Sequence, residues 1–297
     1  MSPPPVRDAV AIASETFAQR MVRGPLGGWG GWARDLPYQQ WNAFFLLVAA
    51  LVHAFAFPLH RAKTLAPDWV LFVVLRNLGI VHIIYGGFQH LLYAGGDSKG
   101  AELAELKLKF NPKFPADAQH RRDRFWSTLG CLQSSMYECG LMYLWANDLL
   151  PSYHREGFWA YPAWSVGWLL FVMPWHSVHF YFVHRYLHIK PFYRWFHSLH
   201  HKSYNPGPWS GMSMHPVEIA LYFSGCLLPC LLISQHPIHY LFSKYLKEIA
   251  PAPGHHGFRA YGGQLNHYLH HKKFECNYGG SLVPMDHLFG TLSFEDN

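Results

Sequence analysis

Nineteen consecutive residues, WNAFFLLVAALVHAFAFPL (41–59), contain no Asp, Glu, Lys or Arg. That length is close to the roughly 20 residues a helix needs to cross a bilayer core. In lipid every backbone N–H and C=O must be satisfied internally, which leaves helices or closed barrels. More apolar stretches follow. WVLFVVLRNLGIVHIIYGGFQHLLY (69–93) is interrupted by Arg76, and a third, from Trp126 to Trp145, carries Glu138. The fourth, Phe158 to Val183, is rich in Trp and Phe. IALYFSGCLLPCLLIS (219–234) is short and contains Pro229, which predicts a re-entrant hairpin or a kinked span. The predicted fold is all-α: about four transmembrane helices plus a short re-entrant hairpin, beneath a cytosolic helical cap.

Composition narrows the partners. Charged residues make up 14 % of the chain, against about 25 % in soluble domains, so a fully solvated surface is not expected. The basic excess, 24 Lys and Arg over 18 Asp and Glu, accompanies apolar runs and so points to a membrane surface, not nucleic acid. Lys and Arg crowd the 97–125 connection, the 184–202 stretch and the tail (Lys244, Lys247, Arg259, Lys272, Lys273), whereas 146–157 has only Arg155. Positive-inside counting puts these segments in the cytosol. Residues 1–40 are expected to be an N-terminal peripheral segment with an amphipathic helix at 8–23 and no cleaved signal peptide. Residues 41–297 are expected to form a single integral-membrane domain. Five cysteines without a CxxC pair read as buried thiols in a reducing compartment.

Sixteen of the 22 histidines lie between His176 and His287, within a histidine-rich region spanning 176–290. HRYLH places His184 and His188 four apart; HSLHH contains His197, His200 and His201; NHYLHH repeats that triplet as His267, His270 and His271. On a helix these spacings put imidazoles on one face, a turn apart. Eight such ligands exceed what one tetrahedral zinc needs and suit two metals, each with several nitrogens and an open position. His255, His256 and His215 are further candidates, either as ligands or as groups that orient them. His179, Glu218 and Asp286 are weaker candidates for that orienting role. Trp164, Trp168, Trp175, Phe180 and Tyr181 are candidates to line an apolar pocket.

HRYLH, HSLHH and NHYLHH, with SGMSMHPVE and ECNYGGSLVPMDHLFGTL, resemble the fatty acid hydroxylase/sterol desaturase superfamily, and within it the sterol C5-desaturase (lathosterol oxidase)-like members. The resemblance covers about residues 158–294. It implies two iron ions (replaceable by zinc in a purified sample), held mainly by histidine at the cytosolic membrane face. The implied ligands are His184, His188, His197, His200, His201, His267, His270 and His271, with His255 or His256. The implied activity is oxidoreductase: O2-dependent C5(6)-desaturation of a Δ7-sterol, or hydroxylation of a 4-methylsterol, acyl chain or other lipid. The implied location is the endoplasmic reticulum. No haem, flavin or nicotinamide motif occurs, so a separate donor is expected, cytochrome b5 with its NADH-dependent reductase. A transporter would carry ionisable residues in the middle of several spans; here the histidines gather beyond the fourth. A non-catalytic histidine-rich metal-binding protein would not need the fixed spacing.

Overall fold

A computed structural model describes residues 36–93, 109–111, 113–258, 264–280 and 282–293. Residues 8–23, expected as an amphipathic helix, lie outside them. Among the described residues the fold is all-helical, with only two isolated β-bridges. The long helices are α1 (Leu36–Phe55), α2 (Pro67–Tyr93), α3 (Asp117–Ala146), α4 (Pro162–Leu187), α5 (Pro216–Leu232) and α6 (Pro237–Ile249). Four of them begin at proline, which has no N–H to lose in the first turn and arrives with φ set for a helix. His215 and His236, each just before such a proline, accept a hydrogen bond from the backbone N–H of Val217 and Ile238, acting as N-caps.

Among the described residues two helices, α2 and α4, are long and apolar enough to cross a membrane, while the apolar parts of α1 (Trp41–Phe55) and α5 are shorter. The third expected span forms α3, a 30-residue helix whose mean hydropathy is low because its first turns, DAQHRRDR (117–124), are charged and its inward face carries Ser127, Ser134, Ser135 and Glu138. Residues 219–232 of the fifth segment lie in one helix, α5, and the chain turns back through residues 233–236 into α6, which packs along α1.

Apolar residues cover much of the outside of this bundle. Leu47, Leu51 and Phe55 on α1, Leu71, Leu75 and Ile83 on α2, and Leu170, Phe171 and Phe182 on α4 are all exposed. Such a continuous apolar surface marks an interaction face, here of a kind a bilayer would cover. The interior holds both an aromatic core, including Phe45, Tyr85, Trp145 and Phe223, and a charged network. Arg76 pairs with Glu138, the residue that interrupts the third apolar stretch. Glu138 also lies 3.5 Å from Lys244, and Lys244 pairs with Glu248. Asn77 donates to Ser135 and Glu138, and Ser134 donates to Glu248. The charges that seemed to break the spans therefore neutralise one another inside the protein. Lys244 and Lys247, expected among the cytosolic positive charges, are instead fully buried on α6.

Beyond α4 the chain passes through a short helix, Lys190–Phe192, a π turn, Tyr193–His197, and another helical turn, Ser198–His201. The following loop docks on Pro251–His255. Gly211 permits that approach: a Cβ there would sit 2.4 Å from Pro251 Cβ and 2.6 Å from its carbonyl oxygen. The cysteines at 131, 139, 226, 230 and 276 are all free and buried, as expected.

Candidate metal centre

The three histidine motifs converge into two groups. His184, His188, His197, His201 and His270 form one, and His200, His255, His267 and His271 form the other; within each, the available nitrogens lie within 4.8 Å of one another. The groups adjoin, since the His201 and His271 rings are 4.9 Å apart. Their partition follows helix geometry. At about 100° per residue, i and i+4 differ by only a small rotation while i+3 falls on the other side of that pair. Thus His197 and His201 enter the first group and His200 the second, whereas His267 and His271 enter the second and His270 the first.

Hydrogen bonding alone does not explain this packing. His197 Nε2 lies 3.1 Å from His184 Nε2, 3.0 Å from His188 Nε2 and 3.1 Å from His201 Nε2. A neutral imidazole nitrogen carries at most one proton, so it cannot donate along all three contacts. In the second group both nitrogens of His271 are buried with no hydrogen-bond partner. A buried polar atom left unpaired costs about 1–3 kcal/mol. Nitrogen lone pairs directed at a common point are what a cation requires, and imidazole suits iron, zinc and copper.

The tautomers are set from outside. His184 Nδ1 meets the Tyr278 carbonyl at 2.7 Å, His270 Nδ1 meets Cys276 O at 2.6 Å, and His255 Nδ1 meets Pro251 O at 2.9 Å. A carbonyl can only accept, so each Nδ1 bears the proton and each Nε2 presents a lone pair. Burial, reinforced by neighbouring imidazoles, holds His197, His200, His201, His267, His270 and His271 far below the ordinary histidine value. Burial likewise brings His255 down to about 3. These rings are therefore neutral at pH 7, as metal ligation requires.

The tail supplies two of those carbonyls by reversing sharply after the last histidine helix, Leu265–Lys273. Phe274 takes φ 68° and Asn277 φ 54°, a left-handed conformation uncommon outside glycine and asparagine. The Phe274 ring packs 4.8 Å from His201. Asp286 accepts from the backbone N–H of Tyr278 (2.8 Å) and Gly279 (2.7 Å) and from the Thr291 hydroxyl (2.7 Å). It thus holds the loop that carries the Tyr278 carbonyl, and does not bond an imidazole itself as the sequence had suggested.

Glu218 does bond one, its Oε1 lying 2.7 Å from His197 Nδ1. Glu218→Gln keeps the shape but replaces the carboxylate acceptor at this contact. It is expected to weaken metal binding about 10–100-fold, and competitive chelator titration would show it; unchanged affinity would mean that Glu218 does not orient His197.

Other sequence candidates lie elsewhere. His256 falls outside both groups: its Nδ1 accepts from Phe258 N and its ring packs on Phe88, because the helical turn that aims His255 inward directs the next residue away. His215 caps α5 and packs on Phe196. His179 bonds Ser224 and lies over Gly225, where a Cβ would be 2.7 Å from its ring, so it joins α4 to α5.

A cavity of about 100 Å³ reaches the histidines from the bundle interior. His184 and His197 of the first group and His200, His255 and His267 of the second line it, with Glu218, Phe180, Leu187, Met214 and Tyr222. Its α4 lining runs from Met173 to Leu187, about 21 Å of helix, so the space is long and narrow. Of the five expected aromatics only Phe180 lines it. Trp164, Trp168 and Trp175 direct their indole N–H groups to Ser234 O, Gln235 Oε1 and Gly225 O, joining α4 to α5 and the turn after it. Tyr181 packs among Tyr278 and Phe289 on another face. Phenyl and indole rings are large, and helix–helix contacts claim most of them.

Sequence reasoning missed Asp123, a buried carboxylate accepting from the hydroxyls of Ser203, Ser210 and Ser213. It fastens the loop after His201. One carboxylate inside the run RRDR (121–124) gave no local signal.

The fatty acid hydroxylase family model matches residues 168–291. A Delta(7)-sterol-C5(6)-desaturase of Nicotiana tabacum is 31 % identical over 144 residues, 43 % of this chain and 52 % of the relative. Methylsterol monooxygenase 1 of Gallus gallus is 26 % identical over 171 residues, 52 % of this chain and 55 % of the relative. A cholesterol 25-hydroxylase-like protein of Danio rerio is 32 % identical over 137 residues, 39 % and 51 % respectively. The chain spans about half the length of these relatives, and no solved structure matches it. The matched segment contains all nine clustered histidines, and over it the chain is similar to fatty acid hydroxylases, sterol desaturases and methylsterol monooxygenases.

Proposed function

We propose that this chain is a membrane oxidoreductase that uses two iron ions, O2 and external electrons to oxidise a C–H bond of a sterol. The observation that carries this reading is that both histidine groups open onto one narrow, largely apolar cavity. His184, His188, His197, His201 and His270 would hold one iron, and His200, His255, His267 and His271 the other. Bound iron would supply the redox chemistry that activates dioxygen toward an unactivated C–H bond. The residues around it do the rest. Carbonyls fix the imidazole tautomers, Glu218 orients His197, and the apolar wall of Phe180, Leu187 and Met214 keeps bulk water from the reacting carbon.

The first outcome proposed, C5(6)-desaturation of a Δ7-sterol, draws on the tobacco relative. It removes hydrogen from two adjacent carbons and, with O2, two electrons and two protons, yields two waters. The second, hydroxylation, inserts one oxygen atom and yields one water. The length of the cavity favours it, because that length can place the reacting carbon far from the lipid's polar end. Residues 41–297 would form one integral domain of four spans and a re-entrant α5–α6 hairpin. The histidines would face the cytosol at the endoplasmic reticulum, where basic segments suit an acidic electron donor such as cytochrome b5, itself served by an NADH-dependent reductase.

Expression in yeast lacking its own sterol C5-desaturase, with sterols identified by mass spectrometry, tests this. New Δ5,7-sterols are the expected result for desaturation, and a hydroxylated sterol for the second outcome. A protein that holds two metal equivalents yet consumes no oxygen with any reductant would overturn both.

A further inference from the structure

Two lysines lie one turn apart on α6, both fully buried, and their surroundings differ. Lys244 sits between Glu138 and Glu248. Lys247 has no carboxylate within ion-pair distance among the described residues. Its Nζ instead lies 3.0 Å from His176 Nδ1 and 4.7 Å from the centre of the Tyr222 ring. The nearest acid along the helix, Glu248, is taken by Lys244 and Ser134. Burying an ammonium is costly unless other groups replace its water, and one imidazole with one ring face does so only in part.

Both neighbours of Lys247 line the cavity, and His176 stands about two helical turns before His184 on α4. An ammonium only donates, so His176 Nδ1 accepts, and the proton of the neutral imidazole stands on Nε2. Nε2 makes no hydrogen bond among the described residues, and the ring is held parallel to Phe180 at 6.1 Å. The cavity thus has metal-ligating histidines at one end and a fixed N–H donor, backed by a buried cation, at the other.

We propose that this far end binds the polar terminus of the lipid. His176 Nε2–H donates to an oxygen of that terminus, and Lys247 favours an oxygen that accepts strongly or carries negative charge. A sterol 3-hydroxyl and a fatty-acid carboxylate share this chemistry. His176 and His184 are eight residues apart on α4, about 12 Å along the axis. The carbon presented to the metals is therefore remote from the polar end: the side chain of a 3-hydroxysterol, or the middle of an acyl chain. The proposal rests on the cavity being the site of lipid oxidation, and it selects hydroxylation at a remote carbon over ring desaturation.

Binding to the full-length chain in nanodiscs tests it without turnover. Radiolabelled cholesterol is compared with cholesterol methyl ether, and palmitic acid with methyl palmitate. One pair is expected to differ by at least about tenfold in favour of the free hydroxyl or acid, the worth of one well-made hydrogen bond. Which pair differs identifies the terminus. In Lys247→Met and His176→Phe that preference is expected to fall toward one while the bound metal stays. Equal binding within both wild-type pairs overturns the proposal, and this comparison stands even where a variant fails to fold. A preference retained in both folded variants also overturns it. Preference without any oxidation would uphold the polar site and sink the proposed function. A Δ5,7-sterol product would do the reverse, since that bond lies beside the hydroxylated ring.

Discussion

Replacing His197 with alanine is expected to abolish product formation and to lower metal content from two equivalents toward one. The His197 Nε2 contacts those of His184, His188 and His201, and its Nδ1 meets Glu218. Losing an outer partner of a metal ligand typically weakens binding about 10–100-fold, and losing the ligand should exceed that. Metal analysis of the purified protein, alongside sterol profiling, provides the measurement. His256→Ala is the matched control, because His256 belongs to neither group and its removal should leave the metal content at two. Full metal loading in the His197→Ala protein would show that His197 is not a required ligand of the first group.

Replacing Glu138 with alanine is expected to give the largest loss of stability, about 3–5 kcal/mol, the range for breaking a buried ion pair from one side. Glu138 is fully buried and faces Arg76, Asn77 and Lys244 together. Its removal leaves the Arg76 guanidinium without a carboxylate partner and Lys244 with Glu248 only. The double change Arg76→Leu with Glu138→Leu removes both charges and leaves the Lys244–Glu248 pair intact. It should therefore recover part of the loss, a non-additivity expected of residues in one network. Unfolding of the detergent-solubilised protein, followed by denaturant or heat, gives both values. A Glu138→Ala midpoint equal to wild type would mean that the network is not closed from solvent.

Much of this protein was legible in one dimension. Apolar runs predicted helices, and the prolines at 67, 162, 216 and 237 stand where four of them begin. Spacing also identified the clustered histidines, because i, i+3 and i+4 are neighbours on any helix whatever surrounds it. Other features depend on contacts between distant residues. Arg76 and Glu138 each looked like a flaw in an apolar stretch, and their 62-residue separation concealed that they pair. Lys244 and Lys247 counted as surface charge, since a sequence does not say which side of a helix meets its neighbours. Trp168 and Trp175 suggested a pocket wall, yet their indole N–H groups bind Gln235 and Gly225 in the adjoining segment. His255 and His256 were indistinguishable until the turn at Pro251–His255 aimed one ring inward.

By itself, then, the sequence determined the chemistry available here: neutral imidazoles in helical register beside membrane-length apolar segments. That follows from local rules, the period of a helix and the solvation of its side chains, which act within a few residues. The tertiary structure alone decided how His200 parts from His197 and His201, which carbonyls set the tautomers, and that Lys247, without a carboxylate partner, meets the cavity-lining His176. Those outcomes require residues up to about a hundred positions apart, such as His184 and Tyr278, to meet within a hydrogen bond's reach, and only the packed bundle brings them there.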